Sequence, residues 1–157
     1  MPSSTTDTDS SRMFLGPTIT YDLDYGTYYG QYGVVENPRV GYMRDGVFLG
    51  ASFGWRGHGS GVGSVADFTF DEYDKELEER TPTVAFGYWI RDILKVMGVD
   101  SWEALEGRPV VTLWDSKVSW GGTCKGISNP ANNEYIVWDQ WWDEVGMPLI
   151  EKERGTE

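Results

Sequence analysis

The chain has 157 residues and a formal net charge of −12, from 25 acidic and 13 basic side chains. Such a polyanion is a poor match for duplex nucleic acid, because most of that affinity comes from Lys and Arg contacts with phosphates. The apolar runs are shorter than the roughly 18 residues of a membrane helix, and no secretory signal pattern is visible. One cysteine, Cys124, and one histidine, His58, leave little for a disulfide or a zinc site. We therefore expect a single soluble domain in a reducing compartment, without cofactor or bound metal.

The two ends of the chain differ in composition from the rest. Residues 1–12 are mostly Ser, Thr and Asp with almost nothing to bury, which predicts a disordered tail. Residues 151–157 are mostly charged and predict a frayed C-terminal tail. The single globular domain is expected over residues 13–150.

The first half of the domain is rich in aromatic and β-branched residues interrupted by glycine, which favours strands over residues 18–32 and 40–53. The Arg44-Asp45-Gly46 sequence inside the second stretch predicts a hairpin turn. A further strand is expected over 65–70. Residues 71–80 are dominated by charge.

The second half opens with the clearest helix signal of the chain. Thr81-Pro82 suits a helix start, and Gly98 suits a helix end. Between them, apolar residues recur at three- and four-residue steps at Val84, Trp89, Ile90, Ile93, Leu94 and Met97. A capping box over 100–103 predicts a short second helix that ends at Gly107.

Strands are then expected over 109–114, 120–127 and 134–138. The predicted fold class is α+β, with a β-rich N-terminal half, one central amphipathic helix plus a short helix, and a small C-terminal antiparallel β segment. This places two β halves around one helix.

The glycine-rich stretch 54–63 is the most conspicuous candidate site. Its glycines let backbone amides approach an anion, and the planar guanidinium of Arg56 matches phosphate. The stretch has neither the spacing of a P-loop nor that of a dinucleotide fingerprint. The alternative is a flexible loop, or a glycine-rich strand packed beneath large aromatics. The candidate ligand-binding residues are Trp55, Arg56, Gly57, His58, Gly59 and Trp138.

Catalytic residues are hard to find in this sequence. His58 is the one weak candidate, since a histidine near a flexible loop can act as a general base, but the sequence offers it no orienting partner. Cys124 lies in a strand-like context that predicts a quiet, half-buried thiol. The carboxylates match no calcium-loop spacing. These patterns favour a protein that is not an enzyme.

Acidic residues and tryptophans each allow two interpretations. Residues 67–80 and 134–157 each carry a net charge of −5, which is typical of a solvated face or of a surface that docks on a basic partner. The tryptophans are either core residues or a stacking platform for a base or a sugar ring. They include Trp114, Trp120, Trp138, Trp141 and Trp142.

The segment 98–107 reads Gly-Val-Asp-Ser-Trp-Glu-Ala-Leu-Glu-Gly. It resembles the GV-x-SWE-x-L-x-G signature of a family of small proteins encoded by tailed bacteriophages and prophages. Ile127-Ser128-Asn129 resembles its downstream IGN element, with Ser128 in place of the glycine, and Trp138 or Trp141-Trp142 resembles its WF element. Tyr25-Gly26 stands where the family often has His-Gly. The resemblance implies a phage accessory protein inside a bacterial cell and brings no established activity with it.

Taken together, these features predict a non-enzymatic phage or prophage accessory protein in the host cytoplasm, bacterial or archaeal. Its ligand is expected to be a host protein with a basic surface, or a small phosphorylated, nucleotide-type molecule that it sequesters as a counter-defence. One alternative is a small hydrolase or nucleotide-processing enzyme that uses His58 with a carboxylate such as Asp67. Another is a virion or assembly component. Neither duplex nucleic acid nor a membrane is an expected partner, and the oligomeric state stays open.

Overall fold

The computed structural model describes residues 6–7, 18–43, 46, 48–57, 62–69, 71–117 and 123–155. These residues form a curled eight-stranded antiparallel sheet, a separate two-stranded hairpin and two helices that pack against the sheet. The predicted α+β class is thereby confirmed. The strands are β1 (Thr6–Asp7), β2 (Thr18–Leu23), β3 (Gly26–Met43), β4 (Phe48–Gly57), β5 (Val62–Thr69), β6 (Asp71–Asp74), β7 (Glu79–Pro82), β8 (Pro109–Trp114), β9 (Cys124–Ser128) and β10 (Tyr135–Val137).

The long strand β3 joins the two halves of the chain into one sheet. Its first half lies between β2 and β8, and its second half pairs with β4, which in turn pairs with β5. The register shifts between Glu36 and Arg39, beside Asn37 with a φ of 51°. The path β1-β2-β3-β8-β9-β10 therefore mixes strands from both halves. This corrects the expectation of two β halves around a helix.

The hairpin predicted around Asp45-Gly46 is present, because Met43 pairs with Phe48 and Gly46 has a φ of 83°. The strand predicted over 109–114 is also confirmed. The following strand begins only at Cys124, and residues 118–122 lie outside the described part.

Helix α1 (Ala85–Met97) is the predicted amphipathic helix, but it begins three residues later than expected. Pro82 is the last residue of β7 and pairs with Asp71, so the charged segment 71–80 folds as the β6–β7 hairpin. Gly98 ends the helix in the left-handed region, with a φ of 67°. The buried face of α1 consists of Ala85, Trp89, Ile93 and Met97.

The short second helix is a single 3₁₀ turn, Glu103–Leu105. The hydroxyl of Ser101 accepts a hydrogen bond from the Ala104 N–H at 3.2 Å, so Ser101 caps this turn in place of Asp100. Gly107, with a φ of 77°, ends it as predicted.

The C-terminal helix was not expected. It consists of the α-helical segments Trp138–Trp141 and Met147–Gly155, with a π-helical turn, Trp142–Gly146, between them. Trp138 therefore begins a helix and does not end a strand, and the chain closes on a helix where a small β segment was predicted. The sequence does not predict this helix because it contains Gly146 and Pro148, and both residue types normally mark helix ends.

Both faces of the sheet carry buried apolar residues. The larger cluster lies between the sheet, α1 and the C-terminal helix. A smaller cluster on the other face consists of Ile19, Tyr21, Tyr28, Val111, Leu113 and Val137. The Tyr21 hydroxyl reaches Ser128 although β3 and β8 separate their strands, so the sheet curls around this cluster. Strand β8 contributes to both cores because its residues alternate between the faces.

Candidate functional site

The glycine-rich candidate lies at the end of β4, where Trp55 is 5 % exposed. Gly33 and Gly57 pair across β3 and β4, and a Cβ atom on either glycine would overlap the Trp55 indole. The ring also packs edge-on against Trp114, with 5.9 Å between centroids. These two glycines therefore make room for a buried tryptophan, as in the alternative interpretation of a glycine strand beneath aromatics.

Arg56 lies next to Trp55, with its side chain 63 % exposed. Its guanidinium is 2.6 Å from a Glu36 carboxylate oxygen. A phosphate at this position would meet that carboxylate as well as the guanidinium, which opposes anion binding there.

The other candidate residues are dispersed or lie outside the described part. His58, Gly59 and Trp120 fall outside it, so their roles stay predictions. Trp138 is 5 % exposed, and its indole N–H donates to the Cys124 carbonyl at 3.1 Å. Its ring packs against Phe68 and Trp89, which places it in the core beneath α1.

The Cys124 thiol donates to the Gly126 carbonyl at 3.4 Å. Burial is the main cause that raises the pKa of this thiol to about 12. Cys124 is therefore protonated near neutral pH, and a protonated thiol is a poor nucleophile.

A cleft of about 620 Å³ lies between α1, the loop of residues 129–134 and the start of the C-terminal helix. Its polar lining residues are Asp92, Lys95, Asn132, Asn133, Glu134, Gln140 and Glu144. Its apolar lining residues are Val96, Tyr135, Ile136, Val137, Trp141 and Val145.

Side-chain amides tie the loop of this cleft to the end of α1. The Asn129 amide donates to the Val96 carbonyl at 3.0 Å, and its carbonyl oxygen accepts from the Ala131 N–H at 3.0 Å. The Asn132 amide donates to Glu134 at 3.4 Å. These contacts hold the loop of residues 129–134 against the end of α1, with Glu134 among the residues that line the cleft.

Asp92 connects the two helices that line the cleft. One of its carboxylate oxygens accepts from the Trp141 indole N–H at 2.8 Å, and the other accepts from the Arg91 guanidinium at 2.8 Å. On the opposite wall, the Gln140 amide donates to Glu144 at 3.3 Å. The walls are thus held by hydrogen bonds between groups that also face the ligand space.

The cleft carries three carboxylates, on Asp92, Glu134 and Glu144, against the single ammonium of Lys95. Asp92 is ion-paired with Arg91 at 2.8 Å, which leaves Glu134 and Glu144 against Lys95. This excess of negative charge and the apolar floor suit a cationic group on an apolar stem, such as a lysine or arginine side chain. Sequence reasoning missed this cleft because its residues come from three separated segments. The acidity of residues 134–157 was the one signal that pointed towards it.

In the described ranges, no group of three or more His, Cys, Asp or Glu side chains is arranged to hold a metal ion. No helix among the described residues is long and apolar enough to cross a membrane. Comparison with protein-family models, with curated proteins and with solved structures finds no match to this chain.

Proposed function

We propose that this chain is a non-enzymatic phage or prophage accessory protein that binds a basic segment of a host protein. The binding site is the cleft between α1 and the C-terminal helix. The observation that carries this proposal is the set of three carboxylates around a largely apolar floor in the cleft of about 620 Å³. Of the two ligand classes that the sequence left open, this cleft favours the basic protein and disfavours an anion.

The physical reason is complementarity of both charge and shape. A lysine or arginine stem covers the apolar floor, while its charged head meets Glu134 or Glu144 at the rim. Charged groups around such a site speed association and exclude acidic competitors. Binding should therefore weaken as the salt concentration rises, because rim charges are screened.

A charge reversal in the cleft tests the proposal. We expect the double substitution Glu134→Lys and Glu144→Lys to weaken binding of the host partner at least tenfold, which corresponds to about 1.4 kcal/mol. The partner is first captured from host lysate on the wild-type chain, then purified and titrated by calorimetry against each variant.

The matched control is Glu76→Lys with Glu78→Lys, which makes the same charge change in the exposed β6–β7 turn. This control variant should bind the host partner within about twofold of the wild-type affinity, since exposed charges outside an interface contribute little to binding. Equal losses in both variants, or none in the cleft variant, would contradict the proposal. A nucleotide adduct in native mass spectrometry that is lost in Arg56→Ala would instead support sequestration of a phosphorylated ligand.

The phage origin and the host cytoplasm rest on the resemblance at residues 98–107. Capping and turn residues account for that signature structurally, because Ser101 caps the 3₁₀ turn and Gly107 ends it. Recovery of the chain in purified phage particles would favour the virion alternative over a role in the host cell.

A further inference from the structure

A second hollow of about 320 Å³ continues the main cleft along the same two helices. Its lining residues are Tyr88, Arg91, Glu144, Val145, Pro148, Leu149 and Lys152. Glu144 and Val145 line both spaces, which therefore adjoin at these two residues, and we call the two hollows together the groove. The helices run antiparallel along it, because the end of α1 faces the start of the C-terminal helix and the start of α1 faces residues 148–152.

The charge changes sign along this groove. The end beside the 129–134 loop carries Asp92 and Glu134 together with Lys95, and Glu144 lies at the middle. The other end carries Arg91 and Lys152, with the apolar Leu149 between them. The Arg91 guanidinium forms an ion pair with the Asp92 carboxylate, 2.8 Å away. Lys152 is exposed and belongs to the last turns of the C-terminal helix.

The π-helical turn Trp142–Gly146 lies at the junction of the two ends. It presents both shared residues, Glu144 and Val145, to the groove. Turns of this kind are rare and occur frequently at functional sites. The position of this π-helical turn is an observation separate from the charges, and it points to the same stretch of the C-terminal helix.

We propose that this groove binds an extended segment of the partner protein that carries a basic side chain, then apolar residues, then an acidic side chain. The inference rests on the function proposed above and specifies its ligand. The basic side chain meets Glu134 and Glu144, the apolar residues cover Val145 and Leu149, and the acidic side chain meets Lys152. Opposite charges at the two ends fix the direction of the bound segment and reject segments with charge of one sign.

Helix geometry sets the spacing between the two charges of the ligand. Glu144 and Lys152 are eight residues apart, or about 12 Å at a rise of about 1.5 Å per residue. An extended chain advances about 3.3 Å per residue, so its basic and acidic side chains should lie about four residues apart.

The test uses random peptides displayed for selection on the full chain. The best selected peptide is synthesised with and without its basic residue, and with and without its acidic residue. Dissociation constants are measured against the wild type, Glu134→Gln, Lys152→Gln and the control Lys75→Gln in the β6–β7 turn.

We expect selected peptides to carry both charges about four residues apart. Removal of the basic residue from the peptide should weaken binding to the wild type at least fivefold and should change binding to Glu134→Gln little. Removal of the acidic residue should likewise weaken binding to the wild type at least fivefold and should change binding to Lys152→Gln little. Lys75→Gln should show no coupling with either.

Coupling at Glu134 without coupling at Lys152 would overturn the two-ended groove and leave the proposed function standing. Failure to select any peptide would also overturn the inference, while the host-partner titration would still decide the proposed function. Absence of coupling at both ends, together with an unaffected host partner, would overturn both.

Discussion

At the scale of single residues, Asp71 fastens the charged hairpin to the main sheet. Its side chain is only 3 % exposed, and its carboxylate accepts from the Leu49 N–H and from the Arg80 guanidinium, each at 3.0 Å. The same guanidinium lies 4.6 Å from the centre of the Phe48 ring. Sequence composition marks residues 71–80 as a charged surface and does not reveal that one of these carboxylates faces inward.

The pKa of Asp71 leads to a prediction on stability. Burial alone would raise this pKa, but the hydrogen bonds from Arg80 and Leu49 outweigh burial and hold it below the ordinary value of 3.8. The charged carboxylate therefore stabilises the fold fully above that value, and this contribution is lost as pH falls through the folded pKa. We expect Asp71→Asn to lower the free energy of unfolding by about 1–3 kcal/mol at pH 7, and by less at pH 3.

Urea unfolding at the two pH values measures this difference. The control is Glu76→Gln, an exposed side chain of the adjacent turn, which should change stability by less than about 0.5 kcal/mol at either pH. A difference for Asp71→Asn that is as large at pH 3 as at pH 7 would contradict the assignment.

At the scale of elements, tertiary packing stabilises the C-terminal helix although two of its residues, Gly146 and Pro148, normally end helices. Trp138 and Trp141 are buried against Trp89 of α1, with ring centroids 4.9 and 5.1 Å away. Ile150, 4 % exposed, is also buried in this core, two residues after Pro148. Burial of these side chains stabilises a helix that local propensity would end, since each large apolar side chain contributes about 1.5–3 kcal/mol.

Two helical glycines provide a matched test of this explanation. A Cβ atom on Gly146 would overlap the rings of Trp141 and Trp142, whereas a Cβ on Gly87 meets nothing within 4 Å. We expect Gly146→Ala to destabilise the protein by about 1–3 kcal/mol because it overpacks the π turn.

Gly87→Ala should instead stabilise it by up to about 1 kcal/mol, because alanine favours the helix of α1. Thermal unfolding of both variants gives the comparison. If both shift the melting temperature in the same direction, the π turn is not held by contact between Gly146 and the tryptophan rings.

At the scale of the whole molecule, the two halves of the chain depend on each other. Strand β8 pairs with β3, and it alternates residues into the cores on both faces of the sheet. The two acidic segments that the sequence separates also meet, because Arg154 of the C-terminal helix forms an ion pair with Glu72 of β6. The C-terminal helix and the β6–β7 hairpin are thus in contact at this ion pair.

Fragments of the chain test this dependence. Residues 1–83 and 84–157 should each remain unfolded alone, since each would expose one side of the β3–β8 pairing and half of the core. Mixing them should restore structure if the sheet reassembles. Amide dispersion in NMR spectra measures this, and a dispersed spectrum from the first fragment alone would contradict the shared sheet.

Local signals predicted much of this fold, and they did so where neighbours in sequence decide the structure. The hairpin at Gly46, the helix ending at Gly98 and the strand over 109–114 follow from turn chemistry and periodicity. The sequence pattern predicts the start of α1 three residues too early, because Pro82 suits a helix start and an edge strand equally well. The sequence places the candidate site at the glycine-rich stretch 54–63, and the structure gives Gly57 of that stretch, with Gly33 of β3, a packing role.

By itself, the sequence determined the composition of the surfaces, the α+β class and the local ends of several elements. Composition follows from counting residues, whereas the fold class and the element ends follow from side-chain periodicity and from the backbone freedom of glycine, which are local properties. Long-range packing is what brings both halves into one sheet, gives the chain a C-terminal helix and lines one cleft with Asp92, Glu134 and Glu144. Contacts between residues far apart in the chain determine these features, and no local pattern specifies which distant residues will meet.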